Sequence, residues 1–164
     1  MFYGYLKYYV MLKVVQVETD SHLEQARLLF EEYAVSLGID LSFQNFEEEL
    51  ANLPNDYIPP DGCLLLAIDE TRTAGCIALR KLNDDTCEMK RLYVLSQFRR
   101  LGVGKLLAEA VVAQARKIGY RRMRLDTLPS MMQAQALYKS LGFKEIAPYC
   151  FNPIEGTMFM ELEL

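Results

Sequence analysis

The sequence has a single histidine, His22, and four cysteines, none of which forms a Cys-x-x-Cys pair. A cysteine nucleophile needs a base, usually histidine, and His22 lies at the start of a helical pattern, where we expect a structural or solvent role. The cysteine spacings suit neither zinc nor a disulfide framework. We therefore expect no metal site, and we interpret the cysteines as buried thiols in a reducing cytoplasm.

Internal repeats, low-complexity stretches and Gly/Ser/Pro-rich linkers are also missing, so a single domain is expected. The aromatic, apolar residues 1–10 are too short for a membrane span. They lack the basic start and the cleavage site of a signal peptide. We predict an extension at 1–10 outside a core at 11–164 and no membrane contact. The aromatic tail suggests an interface, which leaves a homodimer open.

Positive charge is not in excess, since 18 Lys and Arg residues stand against 22 Asp and Glu residues. A nucleic-acid-binding surface needs a basic excess, so we expect no nucleic-acid partner. The basic residues between 116 and 124 are interpreted as a solvated face, with a contact to an anionic ligand tail as the alternative.

The hydrophobic pattern predicts a strand, two helices, a run of antiparallel strands and then β-α-β-α-β-β. The first helix begins at a capping box, Ser21 to Glu24, and ends at Gly38, and a second capping box at 130–133 opens the last helix, which ends at Leu141-Gly142. The second helix is expected from about Gln44 to Leu53. The remaining elements are strands at 12–17, 63–69, 73–80, 87–94, 121–127, 143–146 and 157–162, a loop at 55–62 and a helix at 103–119.

The fourth strand changes the parity of its apolar positions. Cys87 and Met89 are apolar at odd positions, whereas Leu92 and Val94 are apolar at even positions. A strand that keeps one face buried needs one extra residue to make this change, and a β-bulge supplies it. We predict a bulge between Met89 and Val94.

A turn with two arginines and two glycines follows this strand and precedes a helix. The free amides of a helix N-terminus favour anions, and glycines at 102 and 104 allow the backbone to approach a phosphate closely. Arg99, Arg100 and Lys105 add positive charge, so we predict a diphosphate ligand. The turn is not a Walker loop, because Lys105 is followed by leucine, and its third glycine position is Leu107, which makes a poor dinucleotide fingerprint.

The segment from Glu88 to Leu107, EMKRLYVLSQFRRLGVGKLL, resembles the acetyl-CoA motif of the GNAT superfamily of N-acetyltransferases. Its Arg99-x-x-Gly102-x-Gly104 core matches the core of that motif. The segment AQALYKSLGF at 134–143 is similar to the second motif of the family. The resemblance covers residues 12–164 and implies an α/β (α+β) GNAT-like domain. Its sheet is mixed and mostly antiparallel, with six to seven strands, about four flanking helices and a bulged fourth strand.

The resemblance also implies how acetyl-CoA binds as cosubstrate. In the family the bulged strand splays from the fifth strand, and the pantetheine arm pairs with its exposed edge. By analogy, the edge is formed by Leu92, Tyr93 and Val94. Amides of the turn hold the pyrophosphate, Gln133 contacts the cofactor and Lys139 faces the 3′-phosphate. The turn residues carried over are Arg99, Arg100, Leu101, Gly102, Val103, Gly104 and Lys105.

Two catalytic residues are carried over in the same way. Tyr138 matches the tyrosine that protonates the departing thiolate, against the alternative of a core tyrosine. Glu88 matches a glutamate that some members use as a base directly or through water, although pairing with a neighbouring Lys or Arg is equally open. Tyr149, Asn152 and Asp126 are weaker candidates for the base. Direct transfer in a ternary complex needs no covalent enzyme intermediate.

The acceptor implied is a small-molecule amine or a peptide amine. The first two helices and the 55–62 loop should form its site, and Tyr33, Phe43, Phe46 and Tyr57 either line it or belong to the core. The acidic run at 47–49 either attracts a cationic amine or is a solvated face. Two other functions stay open, namely a non-catalytic acyl-CoA sensor and a generic nucleotide-binding domain, which the motif spacing disfavours.

Overall fold

The computed structural model describes residues 11–70 and 72–164, so the predicted extension at 1–10 lies outside the described residues. The strands of this part are β1 (Leu12–Gln16), β2 (Cys63–Asp69), β3 (Arg72–Lys81), β4 (Thr86–Val94), β5 (Arg122–Thr127), β6 (Lys144–Ile146) and β7 (Met158–Glu163). Its α-helices are α1 (Asp20–Leu37), α2 (Phe46–Ala51), α3 (Val103–Ile118) and α4 (Met132–Ser140).

The strands form one sheet in the order β1-β2-β3-β4-β5-β7-β6. Neighbouring strands run antiparallel except β4 and β5, which are parallel. The prediction of a mixed, mostly antiparallel sheet with about four helices is confirmed.

Helices cover both faces of the sheet, which explains why its central strands are apolar on both sides. On one face α3 packs its Val103, Leu107 and Val111 side chains into the larger apolar cluster. On the other face α1 contributes Ala26, Leu29 and Phe30 to the smaller cluster. Successive residues of β2 alternate between the two clusters, so this strand joins them.

The helix starts differ from the two predicted capping boxes. Thr19 caps α1, because its hydroxyl accepts a hydrogen bond from the His22 amide at 3.1 Å. The predicted cap at Ser21 is therefore wrong, and the true cap lies two residues earlier. The predicted box at 130–133 is also wrong, since α4 begins after Met131 with no side-chain cap.

The predicted second helix is shorter than expected. A 3₁₀ turn occupies Ser42–Gln44, and α2 follows only after Asn45, whose φ of 53° interrupts the helical backbone.

Cys63, Cys76 and Cys87 are buried free thiols, as expected, whereas Cys150 is exposed. Burial raises the pKa of Cys63, Cys76 and Cys87 to about 12, so these thiols stay protonated at neutral pH. Within residues 11–70 and 72–164, no helix combines the length and apolar character needed to cross a bilayer.

Candidate active site

The centre of the sheet opens between β4 and β5. The two strands pair only from Thr86 to Glu88 against Arg122 to Arg124, and beyond this point residues 92–94 have no ladder partner in β5. The opening continues into a cleft of about 840 Å³ lined by both strands, the turn before α3 and the first turns of α4. The unpaired edge of β4 therefore offers backbone donors and acceptors to a ligand inside the cleft.

A bulge in β4 places its side chains at this opening. Cys76 of β3 lies opposite Tyr93 and Ala78 lies opposite Lys90, so two residues of β4 face the single residue between them. The first of these two, Arg91, has a φ of 59°, which is rare for a residue other than glycine. The predicted bulge is confirmed, together with the change of parity that it explains.

The turn before α3 forms one end of the cleft. Gly102, with a φ of 80°, is the N-cap of α3, and no side chain caps this helix. The first amides of α3 thus have no partner within the helix and are available to an anion. Arg99 and Arg100 also line this end. Free amides beside two guanidinium groups fit a diphosphate, and we call this the phosphate end.

Gly104 shows how closely a ligand can approach the phosphate end. A Cβ built on Gly104 would lie 3.8 Å from side-chain atoms of Val94 and Leu137, which is ordinary contact distance. The fold alone therefore does not require glycine at position 104, and close approach by a ligand is a physical reason for it. Gly102 differs, because its positive φ would strain any other residue.

Tyr138 lies in α4 between the cleft and the core. Its side chain is 7% exposed, lines the cleft and packs against Phe143, with ring centroids 5.8 Å apart. Burial raises the pKa of Tyr138, and the charge of Asp126 acts in the same direction. The phenol therefore keeps its proton at neutral pH, as a group that donates to a leaving thiolate must.

Two carboxylates are candidates for the base, and their surroundings differ. Glu88 is 2% exposed, accepts from Arg80 at 2.9 Å and from the Tyr149 hydroxyl at 3.2 Å. Asp126 accepts from the Asn152 amide at 2.9 Å. Among the described residues that line the cleft, Asp126 is the acidic one, and Glu88 is not in the lining.

The far end of the cleft is lined by Gln44, Lys90 and Arg91, and we call it the acceptor end. Arg91 makes most of the contacts that hold it together. Its guanidinium donates to both carboxylate oxygens of Glu49, at 3.0 and 2.6 Å, and to Gln44 at 2.8 Å. It also lies 5.1 Å from the centroid of the Phe46 ring. Through these contacts the bulge fixes α2 and the preceding 3₁₀ turn, whose Gln44 lines the cleft.

This arrangement gives the three glutamates at 47–49 different environments. Glu47 and Glu48 are exposed, as expected of a solvated face, but Glu49 is partly buried against Arg91. The Tyr57 hydroxyl donates to the same Glu49 carboxylate at 2.6 Å. Of the predicted aromatic residues, Phe46 and Tyr57 belong to the core, Phe43 packs against that core, and Tyr33 lines the cleft.

Comparisons with known proteins agree with this geometry. Residues 23–143 match the model of the acetyltransferase (GNAT) family. The chain belongs to this family. Membership confirms the prediction of an N-acetyltransferase with acetyl-CoA as its cosubstrate.

Full-length relatives and solved structures extend the match. An uncharacterised N-acetyltransferase of Schizosaccharomyces pombe is 42% identical over 155 residues, which cover 93% of this chain and 95% of the relative. A second, from Dictyostelium discoideum, is 34% identical and covers 90% of this chain and 97% of the relative. An acetyltransferase structure from Streptococcus agalactiae shares the fold with a TM-score of 0.77 at 22% identity, covering 93% of this chain and 98% of that one.

A structure with bound ligand also shares the fold. This GNAT acetyltransferase from Elizabethkingia anophelis, with acetyl-CoA bound, superimposes with a TM-score of 0.67 at 21% identity and covers 93% of this chain and 98% of that one.

Most of the residues predicted for this GNAT site line one cleft. The lining includes Leu92, Tyr93, Val94, Arg99, Arg100, Gly102, Val103, Gly104, Gln133 and Tyr138. The residues predicted from the two motifs that lie outside it, besides Glu88, are Leu101, Lys105 and Lys139, which are exposed. The weaker base candidates Tyr149 and Asn152 are outside the lining as well. Lys105 lies 3.7 Å from Glu109 of the same helix.

Sequence reasoning missed Lys90, Arg91 and Gln44, which also line the cleft. A signal was present for the first two, because they form a charged pair within the predicted bulge of a strand that is buried over most of its length. Gln44 had no such signal, since it reaches the cleft only through the packing of its 3₁₀ turn against β4.

Proposed function

We propose that this GNAT enzyme transfers the acetyl group of acetyl-CoA to an amine by direct attack within a ternary complex. The observation that carries the proposal is one continuous cleft that joins the phosphate end, the open edge of β4, Tyr138 and Asp126. A ligand bound along this cleft would bring its thioester to the Tyr138 side and leave the acceptor end open for the amine.

The acetyl-CoA site follows the cleft. Amides of the turn and of the first turn of α3, with Arg99 and Arg100, would hold the pyrophosphate. The pantetheine would pair with the backbone of residues 92–94 as an additional strand. Gln133 lines the cleft beside this path. Lys105 and Lys139, which are exposed outside the lining, are assigned to the solvent-facing phosphates of the cosubstrate.

The transfer is a single displacement through a tetrahedral species. The neutral amine nitrogen attacks the thioester carbonyl carbon, a C–N bond forms and the C–S bond breaks. Tyr138 donates its proton to the departing sulfur and regains one from solvent. A carboxylate base takes one proton from the ammonium group before the attack, because an ammonium group has no lone pair, and passes it to solvent. It takes the second proton from the nitrogen after the C–N bond has formed.

Asp126 is the base that the cleft geometry favours. It lines the cleft directly, whereas Glu88 would act only through Tyr149 or a water molecule. Replacement of Asp126 by Asn should lower kcat/KM by about 100-fold or more, and Glu88→Gln by about 10-fold. A pH–rate profile separates the two roles, since only loss of the base removes the acidic limb. A larger loss in Glu88→Gln would return the role to Glu88.

The transferase reaction itself is tested by thiol release. Acetyl-CoA with a panel of amines should release free CoA thiol in an amine-dependent manner, and mass spectrometry should find the acetylated amine. Initial-velocity lines that intersect support the ternary complex, whereas parallel lines would indicate a covalent intermediate. A rise in Tm with CoA, without amine-dependent thiol release, would instead indicate an acyl-CoA sensor.

The buried thiols support one further point. Free Cys63, Cys76 and Cys87 suit a reducing compartment, and the cytoplasm is the compartment that we propose.

A further inference from the structure

Lys90 is a buried ammonium with few acceptors from the protein. It lies in the bulged part of β4 with its side chain 7% exposed, and it lines the acceptor end of the cleft. An ammonium group has three donors, and ordinary N–H···O distances are about 2.7–3.2 Å. The Lys90 Nζ lies 3.4 Å from Gln44 Oε1 and 3.7 Å from Glu88 Oε1, so both contacts are long.

The two acceptors nearest to Lys90 already bind other donors. Gln44 Oε1 accepts from Arg91 at 2.8 Å. Glu88 accepts from Arg80 through one oxygen at 2.9 Å and from Tyr149 through the other at 3.2 Å. Lys90 therefore shares both acceptors with donors that lie closer to them.

The neighbouring cations differ from Lys90 in this respect. Arg91 pairs with both oxygens of Glu49, and Arg80 pairs with Glu88, so each guanidinium is neutralised by one carboxylate. A buried charge without such a partner is costly. Burial and then the charge of Arg91 lower the pKa of Lys90, while Glu88 and Asp126 oppose this effect.

From this arrangement we infer that Lys90 binds a carboxylate of the acceptor, so that the acceptor is an amine carrying a carboxylate nearby. The inference rests on the proposed acetyl transfer and names its substrate class. Asp126 would receive the ammonium end of such a molecule and Lys90 its carboxylate, since both line the cleft and carry opposite charges. A cation that shares its one carboxylate, Glu88, with Arg80 suits a further carboxylate of single charge better than a doubly charged phosphate.

Matched acceptors test this assignment. The probes are free L-amino acids, each compared with its α-amide and with the amine that lacks the carboxyl group. The wild-type enzyme should acetylate the acids with a kcat/KM about 10-fold or more above that of the amides. Lys90→Met should remove this preference, lowering kcat/KM for the acids by about 10- to 100-fold, mainly through KM, and changing that for the amides by less than about 3-fold.

Two further variants make the measurement specific. Lys90→Arg keeps the charge and should retain part of the preference for acids. Lys81→Met makes the same change on the exposed end of β3 and should leave both classes unaffected. An unchanged rise in Tm with CoA in Lys90→Met shows that the fold and the phosphate end persist.

The outcomes separate this inference from the proposed reaction. Equal turnover of acids and amides by the wild type, or an equal loss for both classes in Lys90→Met, overturns the role of Lys90 and leaves acetyl transfer standing. If neither class of free amine nor any of the short peptides described next releases thiol from acetyl-CoA, the proposed reaction fails and this inference fails with it. Short peptides with and without an acidic second residue form the last arm. Turnover of the acidic peptide alone would show that the carboxylate comes from a peptide side chain.

Discussion

The phosphate end of the cleft consists mainly of backbone groups, whereas the acceptor end consists of charged side chains that bind one another. At the phosphate end, the amides come from one short turn and the first residues of α3. At the acceptor end, Arg91 meets Glu49 and Gln44 from a different part of the chain, and Asp126 meets Asn152. One end is therefore local in the sequence, and the other exists only after folding.

This difference explains how the two ends can change independently. A backbone site needs only glycine, the correct dihedral angles and a helix start, so it accepts a constant group such as a diphosphate. A side-chain site can change its charge pattern by single substitutions. Under the proposed function, the backbone end would bind the cosubstrate and the side-chain end would bind the acceptor.

The largest effect that we expect from breaking the acceptor end is on stability. Glu49→Gln removes the carboxylate that neutralises Arg91, whose side chain is 2% exposed. Loss of one partner of a buried ion pair costs about 3–5 kcal/mol of unfolding free energy, which chemical denaturation would measure. Glu48→Gln, on an exposed position of the same helix, should cost less than about 0.5 kcal/mol. Equal effects in the two variants would show that the pair with Arg91 contributes nothing.

The same pair should respond to pH. Burial alone would raise the pKa of Glu49, but the hydrogen bonds and charge of Arg91 outweigh burial and lower it. Because the pKa of Glu49 is lower in the folded than in the unfolded state, the pair stabilises the fold at pH values above the ordinary carboxylate pKa. This stabilisation disappears as the pH falls through the folded-state pKa. The difference in unfolding free energy between wild type and Glu49→Gln, measured by chemical denaturation, should therefore become smaller as the pH is lowered.

A smaller loss, confined to binding, is expected at the phosphate end. A Cβ at position 104 would meet Val94 and Leu137 only at an ordinary contact distance of 3.8 Å. Gly104→Val should therefore leave Tm nearly unchanged while weakening CoA binding by about 100-fold, or about 3 kcal/mol, in a calorimetric titration. The β-branched control Ala113→Val lies on the exposed face of α3. CoA affinity that survives Gly104→Val would refute the proposed position of the phosphates.

The smallest of these effects concerns Tyr138, which lies between the two ends. Tyr138→Phe should lower kcat by about 10- to 30-fold, or roughly 2 kcal/mol, without weakening CoA binding. Because burial raises the pKa of Tyr138, its ionisation should not set the alkaline limb near neutral pH. Tyr120→Phe removes another buried hydroxyl, one that donates to Asp61 away from the cleft, and should affect stability alone. Unchanged turnover in Tyr138→Phe would remove it from the acid role.

Local patterns explain why so much of the fold was predictable. The parity change between Met89 and Leu92 needs no tertiary information, because a strand with one buried face allows few solutions. The spacing of Gly102 and Gly104 before an apolar helix likewise predicts the turn and the start of the helix from local sequence alone.

The acceptor end was harder to predict because its contacts are not local. Glu49 and Arg91 are 42 residues apart, and nothing in either segment indicates the other. Glu88 illustrates the same limit, since its position in the strand was clear but its bonds to Arg80 and Tyr149 depend on neighbouring elements. The first capping box failed for another reason, namely that Thr19 competes with Ser21 within one turn.

The short ladder between β4 and β5 has a mechanical consequence. It is the seam between the two halves of the sheet, β1 to β4 on one side and β5, β7 and β6 on the other. A pantetheine arm lying in the opening would bridge the halves and lengthen the seam. Acetyl-CoA would then hold the two halves of the sheet together, besides donating the acetyl group. Amide hydrogen exchange in the β5-β7-β6 half should therefore be slower while it is bound.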